Sequence, residues 1–176
     1  MTGTDIHIPT LETERLVLRA PKPSDFPSYV AFRTSDHAKG VGGPYTEVQA
    51  YSHFCELVGH WMFRGYGRWI VADKTDDTPL GVVGIFHPAD WPEPEIAWSV
   101  FENAEGKGIA FEAAQAARKY AYDVVGLNTA ISFVMPENTR SMSLAKRMGA
   151  SPDGDYHHPD LGPLNIWRHP APEAQQ

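Results

Sequence analysis

The segment that most constrains this chain runs from Val100 to Ala110 and reads Val-Phe-Glu-Asn-Ala-Glu-Gly-Lys-Gly-Ile-Ala. An apolar strand leads into a glycine-rich turn, and the turn opens an alanine-rich helix. The first amides of a helix have no partner within it, and the helix dipole adds partial positive charge to them. Gly106 and Gly108 allow a ligand to approach the backbone, and Lys107 offers a cation. The segment therefore predicts a pyrophosphate site.

Two other interpretations of this segment stay open. A plain strand-to-helix turn carries the same two glycines. A dinucleotide-binding oxidoreductase also places glycines before a helix, but the third glycine of its G-x-G-x-x-G pattern is replaced here by Phe111. A Walker lysine followed by Ser or Thr is also missing from the sequence.

The remaining pattern predicts the element order β-α-α-β-β-β-α-β-α-β-β, a three-layer α/β domain with helices on both faces of a mixed sheet. The sheet is expected to have about six or seven strands. The predicted strands are 16–19, 69–72, 80–86, 95–101, 129–135, 156–158 and 165–168. The predicted helices begin near Ser24, Thr46, Gly108 and Asn138, and residues 39–44 are predicted to be a loop.

Some packing details also follow from the pattern. In the second helix, three- and four-residue spacing predicts a buried face that includes the single cysteine, Cys55, as a core thiol. That face comprises Val48, Tyr51, Cys55, Val58 and Met62. In the third helix, Val124 is expected to pack beside Phe111 and Tyr120. We expect one domain over residues 1–176, with an ordered core of about 10–168 and loose ends.

Composition narrows the class of protein. The chain has 176 residues and a formal net charge of −7, which argues against nonspecific nucleic-acid binding. One cysteine allows no intrachain disulfide, and the eight histidines show no spacing typical of metal ligands, so no metal is predicted. The sequence has no apolar run near 18 residues and no basic start followed by an apolar stretch. We therefore expect a cytoplasmic protein that does not bind a membrane.

Four segments, in order along the chain, share one family pattern. They are Leu-Glu-Thr-Glu-Arg-Leu-Val-Leu-Arg (11–19), the strand 95–100 with Glu-Gly-Lys-Gly-Ile-Ala (105–110), Pro-Glu-Asn-Thr-Arg-Ser through Lys-Arg-Met-Gly-Ala (136–150), and Tyr-His-His-Pro (156–159). Together they resemble the GNAT acetyltransferases, in particular the RimJ/RimL-like branch of ribosomal-protein N-acetyltransferases. The resemblance covers roughly residues 10–168.

The resemblance implies an acetyl-CoA-dependent N-acetyltransferase. The enzyme would transfer acetyl to a primary amine, either a protein N-terminus or a small molecule, by direct attack in a ternary complex. The implied contacts to CoA are the backbone of Trp98, Ser99 and Val100 for the pantetheine, the amides of Glu105, Gly106, Lys107, Gly108, Ile109 and Ala110 for the pyrophosphate, and Asn138 near the reactive end. Glu105 departs from the family pattern, and its carboxylate would repel a pyrophosphate unless it points away.

Two residues are candidates for the chemistry. Ser141 lies three residues after Asn138 on the same helix face, where the branch has a serine, and its hydroxyl would stabilise the leaving thiolate. Glu95 begins the strand beside the pantetheine and would take the amine proton through water. A plain helix serine, an N-cap asparagine and a solvated strand-end glutamate are the simpler interpretations. Rival bases are His87, His157 and His158.

The acceptor amine is not specified by the sequence. Its cavity is expected between the first two helices, the loop 39–44 and the loop 153–163. The candidate lining aromatics, each more typical of a core, are Trp61, Tyr66, Trp69 and Trp91. A catalytically silent acyl-CoA-binding module is the alternative function, and the protein is expected to be a monomer or a homodimer.

Overall fold

A computed structural model describes residues 6–172. In that range the chain forms an eight-stranded sheet with the order β1-β2-β3-β4-β5-β6-β8-β7, in which only β5 and β6 run parallel. The strands are β1 (Leu11–Glu12), β2 (Leu16–Arg19), β3 (Arg68–Asp73), β4 (Pro79–Phe86), β5 (Glu95–Val100), β6 (Ile131–Val134), β7 (Ser151–His158) and β8 (Gly162–Arg168). The predicted mixed sheet is confirmed. Only the two-residue β1 was not predicted, because so short a strand leaves no periodic pattern.

Helices cover both faces of the sheet, as predicted. They are α1 (Phe26–Arg33), α2 (Glu47–Arg64), α3 (Ile109–Asp123) and α4 (Thr139–Arg147). Side chains of α1 and α2 pack on one face with Ile70 and Val82. Side chains of α3 and α4 pack on the other face with Val83 and Ile85. Alternate side chains of β3 and β4 thus point to opposite faces of the sheet and pack in two separate hydrophobic cores. No helix among these residues is long and apolar enough to cross a bilayer.

The ends of α2 follow local chemistry. Thr46 is the N-cap, with its hydroxyl accepting from the Gln49 amide at 3.2 Å while the Gln49 side chain accepts from the Thr46 amide. Gly65 ends the helix in the left-handed conformation. The stretch before the cap is more regular than predicted, because a 3₁₀ helix at Asp36–Val41 covers half of the predicted loop.

The predicted buried face of α2 is wrong. Tyr51 and Cys55 are exposed, as are Val48 and Met62. The helix instead buries Leu57 and Trp61, together with Ala50 and His60. α2 carries apolar residues on two faces, and spacing alone does not tell which one meets the sheet. Val124 is likewise exposed, because α3 ends at Asp123.

Packing extends beyond the predicted core of 10–168. The indole N–H of Trp69 donates to the Pro9 carbonyl at 2.7 Å. The Tyr122 hydroxyl donates to the Pro170 carbonyl at 2.9 Å, and His169 is buried. The chain on both sides of the predicted core is therefore tied to it. Residues 1–5 and 173–176, the outer parts of the predicted loose ends, lie outside the described residues.

The two parallel strands separate just after they meet. Within residues 6–172, β5 and β6 are in register only at Glu95 and Ile131. One residue further, the Ser132 hydroxyl donates to the Ile96 carbonyl at 2.6 Å, in place of a backbone donor. The buried His169 ring nitrogen Nε2 lies 2.9 Å from the same hydroxyl oxygen. Beyond Ile96, the edge of β5 that faces β6 is left open to a ligand.

Candidate active site

Two cavities meet where β5 and β6 separate. The larger cavity, about 1000 Å³, lies over the first turns of α3 and α4. The smaller cavity, about 490 Å³, lies on the α1–α2 side and reaches the start of β5. The residues that line both cavities are Gly40, Val41, Trp98, Ser99, Asn138 and Ser141.

The larger cavity brings together the residues that the resemblance implied for CoA. Nine of these ten residues line the larger cavity, and the tenth, Lys107, does not. The side-chain ammonium of Lys107 donates to the Asn103 carbonyl at 2.7 Å. The backbone carbonyl of Lys107 accepts from the Arg15 guanidinium. These contacts turn the Lys107 side chain away from the cavity, so the expectation that it supplies a cation there does not fit the structure.

Gly108 is the N-cap of α3 and needs to be glycine. Its φ is +77°, a left-handed conformation that side chains disfavour. A Cβ added there would meet only the Arg15 guanidinium, at 3.4 Å. The glycine-rich turn therefore leads directly into the first turn of α3, and Gly106, Gly108, Ile109 and Ala110 line the larger cavity.

The carboxylate of Glu105 is neutralised by neighbours. It forms an ion pair with Arg140 of α4, and His37 Nδ1 lies 3.5 Å from Glu105 Oε1. The hydrogen bond from Arg140 holds the Glu105 pKa below its usual value. Arg147 also lines this cavity, with its guanidinium 4.5 Å from the Phe111 ring centre. Neither Arg140 nor Arg147 was expected at the site, because the approach of α4 to the first turn of α3 is not visible in the local sequence.

The cap of α4 organises the junction of the cavities. Asn138 Oδ1 accepts from the Ser141 amide at 3.1 Å, which confirms the N-cap interpretation. Its Nδ2 donates to the Gly40 carbonyl at 3.2 Å. The Ser141 hydroxyl oxygen accepts from Trp98 Nε1 at 3.1 Å, and within residues 6–172 its proton has no acceptor. The Ser141 hydroxyl is therefore oriented and able to donate.

Glu95 is buried, not a solvated strand-end residue. Its Oε1 accepts from Trp91 Nε1 at 3.0 Å, and its Oε2 accepts from the Phe133 amide at 2.9 Å. Burial raises the Glu95 pKa to about 7, although these two bonds and the charge of Arg68 act in the opposite direction. A carboxylate in the smaller cavity thus gains and loses a proton near neutral pH.

The rival histidines are less suited to accept a proton. His87 lines neither cavity. Its Nδ1 lies 3.0 Å from the Tyr66 hydroxyl. His157 is exposed. His158 lines the smaller cavity, but its Nδ1 accepts from the amides of Asp160 and Leu161, both at 3.1 Å. Its Nε2 therefore carries the proton, 2.9 Å from Asp90 Oδ2, and no free lone pair remains.

The smaller cavity lies where the acceptor cavity was predicted. Its walls come from α1, α2, the 39–45 segment and the loop before β8. The aromatic lining is Tyr45, Phe86, Trp91, Trp98 and Phe133. Of the four predicted aromatics only Trp91 lines this cavity, since Trp61 and Trp69 are buried and Tyr66 packs against the core. Arg33 and Arg68 also line the smaller cavity, and neither was expected there from the sequence.

Metal ligands are not grouped in this region. Residues 6–172 contain no cluster of three or more His, Cys, Asp or Glu side chains placed to hold an ion. The polar groups that converge on the junction are a buried carboxylate, a hydroxyl and free helix amides. Such a set can deprotonate an amine, stabilise a leaving group and bind phosphate.

The family model, a sequence relative and a solved structure that match this chain are all described as acetyltransferases. The model of the acetyltransferase (GNAT) domain matches residues 15–151. An uncharacterized N-acetyltransferase p20 of Bacillus licheniformis is 27% identical over 82% of this chain and 84% of its own length. The crystal structure of an acetyltransferase from Agrobacterium tumefaciens is 36% identical, with a TM-score of 0.87 over 97% of this chain and 99% of that one.

A more distant structure shares the fold alone. It is RimL, a ribosomal L7/L12 alpha-N-protein acetyltransferase, in complex with coenzyme A. It is 17% identical, with a TM-score of 0.71 over 89% of this chain and 94% of that one.

Proposed function

This chain belongs to the GNAT acetyltransferase family, and on that premise we propose that it transfers acetyl from acetyl-CoA to a primary amine by direct attack in a ternary complex. One observation carries the proposal. A cavity with free helix amides and a cavity with a buried carboxylate meet at the Ser141 hydroxyl. That arrangement would allow a thioester and an amine to lie on either side of one donor.

The larger cavity would hold the CoA. The amides of 106–110 would bind the pyrophosphate at the start of α3, with Arg140 and Arg147 adding positive charge. The Glu105 amide already donates to the Glu102 carbonyl at 3.3 Å. The open edge of β5 at 98–100 would pair with the amides of the pantetheine arm as an added strand. Asn138 retains one amide hydrogen for the CoA chain, since its other contacts cap α4 and hold the Gly40 segment.

The smaller cavity would supply the amine. An alkylammonium must lose a proton before it can attack, and Glu95, with a pKa raised to about 7 by burial, would accept that proton through water. The neutral amine then forms a bond to the thioester carbonyl carbon. Much of the rate would come from holding the two reactants together, because effective molarities reach roughly 10⁵–10⁸ M.

Collapse of the tetrahedral intermediate would break the carbon–sulfur bond. The electron pair leaves with sulfur, and the Ser141 hydroxyl donates to the developing thiolate. The Ser141 hydroxyl regains, through solvent, a proton that the attacking nitrogen releases. The products are an amide and free CoA. The orientation of Ser141 by Trp98 supports this role, because it directs the hydroxyl proton away from the indole.

Two measurements test this function. The first follows release of the CoA thiol from acetyl-CoA with a panel of peptides, polyamines, amino sugars and amino acids, and we expect turnover with at least one class. The second is a thermal scan. Acetyl-CoA at 100 times Kd should stabilise the fold by about 2.7 kcal/mol, and NAD should not. Stabilisation without turnover for any amine would favour the silent acyl-CoA-binding module, and a response to NAD alone would favour an oxidoreductase.

A further inference from the structure

Arg68 is a buried cation with unused donors in the smaller cavity. It begins β3, and 14% of its side chain is exposed. Its guanidinium carbon lies 3.9 Å from the centre of the Phe86 ring. Within residues 6–172 the guanidinium makes no hydrogen bond, and the closest carboxylate oxygen, on Glu56, is 3.7 Å away. A guanidinium carries five N–H donors, so those of Arg68 are free to bind an anionic group that enters the cavity.

Arg33 adds a second cation to the same wall. It comes from the end of α1, is 9% exposed, and lies 4.1 Å from the centre of the Tyr45 ring. Its Nη2 donates to His53 Nδ1 at 2.7 Å, but its buried Nε has no partner. Burial and the charge of Arg33 lower the pKa of His53, so the imidazole stays neutral and does not add a charge.

The acidic groups around this cavity do not cancel the two arginines. Asp90 is bonded to His158, and Asp160 is an exposed residue at the rim. Glu56 forms an ion pair with Arg68 at 3.7 Å, which is too long for a hydrogen bond, and Glu56 is 41% exposed, so water screens the pair. Glu95 attracts Arg68, but both of its oxygens already accept hydrogen bonds from Trp91 and Phe133. The cavity thus contains two arginines and a proton acceptor.

The geometry points to an acceptor that is a small amino acid with an apolar or aromatic side chain, whose carboxylate is bound by Arg68 with support from Arg33. This inference rests on the proposed acetyl transfer and names its substrate class. A planar carboxylate fits a guanidinium through two parallel hydrogen bonds. The amino group would then face Glu95, and the side chain would lie against Tyr45, Phe86, Trp91 and Phe133. A peptide N-terminus would place a neutral amide beside Arg68 and leave the charge unpaired.

The test compares an amino acid with its neutral amide. kcat/KM is measured for L-phenylalanine, L-phenylalaninamide and the dipeptide Phe-Ala in the wild type, Arg68→Met and Arg68→Lys. Met keeps the length and apolar contact of the side chain with Phe86 but removes the charge. Because the amines differ in basicity, the deciding quantity is the acid-to-amide ratio in each variant relative to the wild type.

We expect Arg68→Met to lower the acid-to-amide ratio about 10- to 100-fold, as for lost charge-assisted hydrogen bonds. Arg68→Lys should fall in between. The matched control is Arg64→Met, which removes an exposed arginine that lines neither cavity and should leave the ratio unchanged. An unchanged ratio in Arg68→Met, with its acetyl-CoA-induced thermal shift intact, would overturn the inference.

Failure of the proposed function would look different. If no amine is acetylated by the wild type, acetyl transfer fails, and titration of L-phenylalanine into the acetyl-CoA-loaded protein decides the inference alone. We expect heat of binding that Arg68→Met reduces and Arg64→Met does not. No binding of either L-phenylalanine or L-leucine to the wild type would overturn the carboxylate site.

Discussion

The indole N–H of Trp98 donates to the hydroxyl oxygen of Ser141, with 3.1 Å between Nε1 and Oγ. This bond joins β5 to α4 at the junction of the two cavities. Because the indole has only a donor, the Ser141 hydroxyl must direct its own proton elsewhere. The bond therefore prepares Ser141 to donate to a group that lies between the strand and the helix.

Ser141→Ala should lower turnover more than it weakens acetyl-CoA binding. The thiolate gains charge only as the intermediate collapses, so the lost bond mainly destabilises the transition state. Loss of a general acid costs about 10²–10⁴-fold, and we expect the low end or less because water can replace the hydroxyl. The measurement is kcat on an accepted amine, beside a calorimetric Kd for acetyl-CoA.

The control for this change is Thr34→Val, which removes an exposed helix-end hydroxyl that lines neither cavity. It should leave kcat unchanged. Full kcat in Ser141→Ala, with chemistry shown to limit the rate, would reduce Ser141 to a helix residue.

Glu95→Gln should remove the rise of kcat/KM with pH near 7. Glu95 must be ionised to accept a proton, and burial raises its pKa to about 7, so wild-type activity should increase through that pH. The acceptor amine titrates identically with both proteins, so the difference between their profiles isolates Glu95. Glu93→Gln is the control, since Arg168 holds the pKa of Glu93 below its usual value. An equal rise in Glu95→Gln would contradict the role.

The same burial affects stability. The folded state holds the Glu95 proton up to about pH 7, whereas the unfolded chain releases it near 4.5. The contribution of Glu95 to the free energy of unfolding is therefore complete below pH 4.5 and is lost as the pH rises to 7. Denaturant titrations across that range should show a decline that is smaller in Glu95→Gln.

The local sequence was sufficient to predict the helix ends and the glycine-rich turn before α3. Thr46, Gly65 and Gly108 act through their own backbone and nearest neighbours, so their patterns are readable without the fold. The face of α2 was not predictable in the same way. Cys55 is exposed and Leu57 buried because of where the sheet lies, a nonlocal fact.

The candidate site shows the same division. Asn138 and Ser141 were implied by the family resemblance, and their three-residue spacing correctly predicted that they share a helix turn. Glu95 was located, but its burial arises from Trp91 and Phe133, which only the folded sheet brings to it. Arg68 was given no role from the sequence, because only the folded sheet brings its side chain into the cavity.

Gly108→Val should abolish acetyl-CoA binding while the fold persists. A β-branched side chain in this left-handed backbone adds about 1–2 kcal/mol of strain, and relief of that strain would displace the amides that we propose to bind the pyrophosphate. Gly126→Val is the matched control for strain, because Gly126 has φ +81°, has no atom within 4 Å of an added Cβ, and lines neither cavity. We expect both variants to lose stability, and only Gly126→Val to keep the acetyl-CoA-induced thermal shift.

Retained affinity in a folded Gly108→Val protein would remove Gly108 from the site. Circular dichroism establishes folding, and calorimetric titration gives the affinity.

Glu105→Gln should tighten CoA binding. The carboxylate of Glu105 now pairs with Arg140, and its removal would free that guanidinium for phosphate while deleting a negative charge from the cavity. We expect a several-fold lower Kd for CoA at low salt, with the gain shrinking at 0.5 M salt. Glu102→Gln is the control, because Glu102 is exposed and lines neither cavity. Weaker binding in Glu105→Gln would mean that the ion pair itself shapes the site.

The most direct measurement is a crystal structure of the protein with acetyl-CoA. We expect the pyrophosphate to bind the amides at the start of α3 and the pantetheine to lie along residues 98–100 of β5. The thioester sulfur should lie within hydrogen-bond distance of Ser141 Oγ. The acetyl group should face the smaller cavity and Glu95. A CoA whose sulfur lies away from Ser141, or whose phosphates lie away from Gly108, would contradict it.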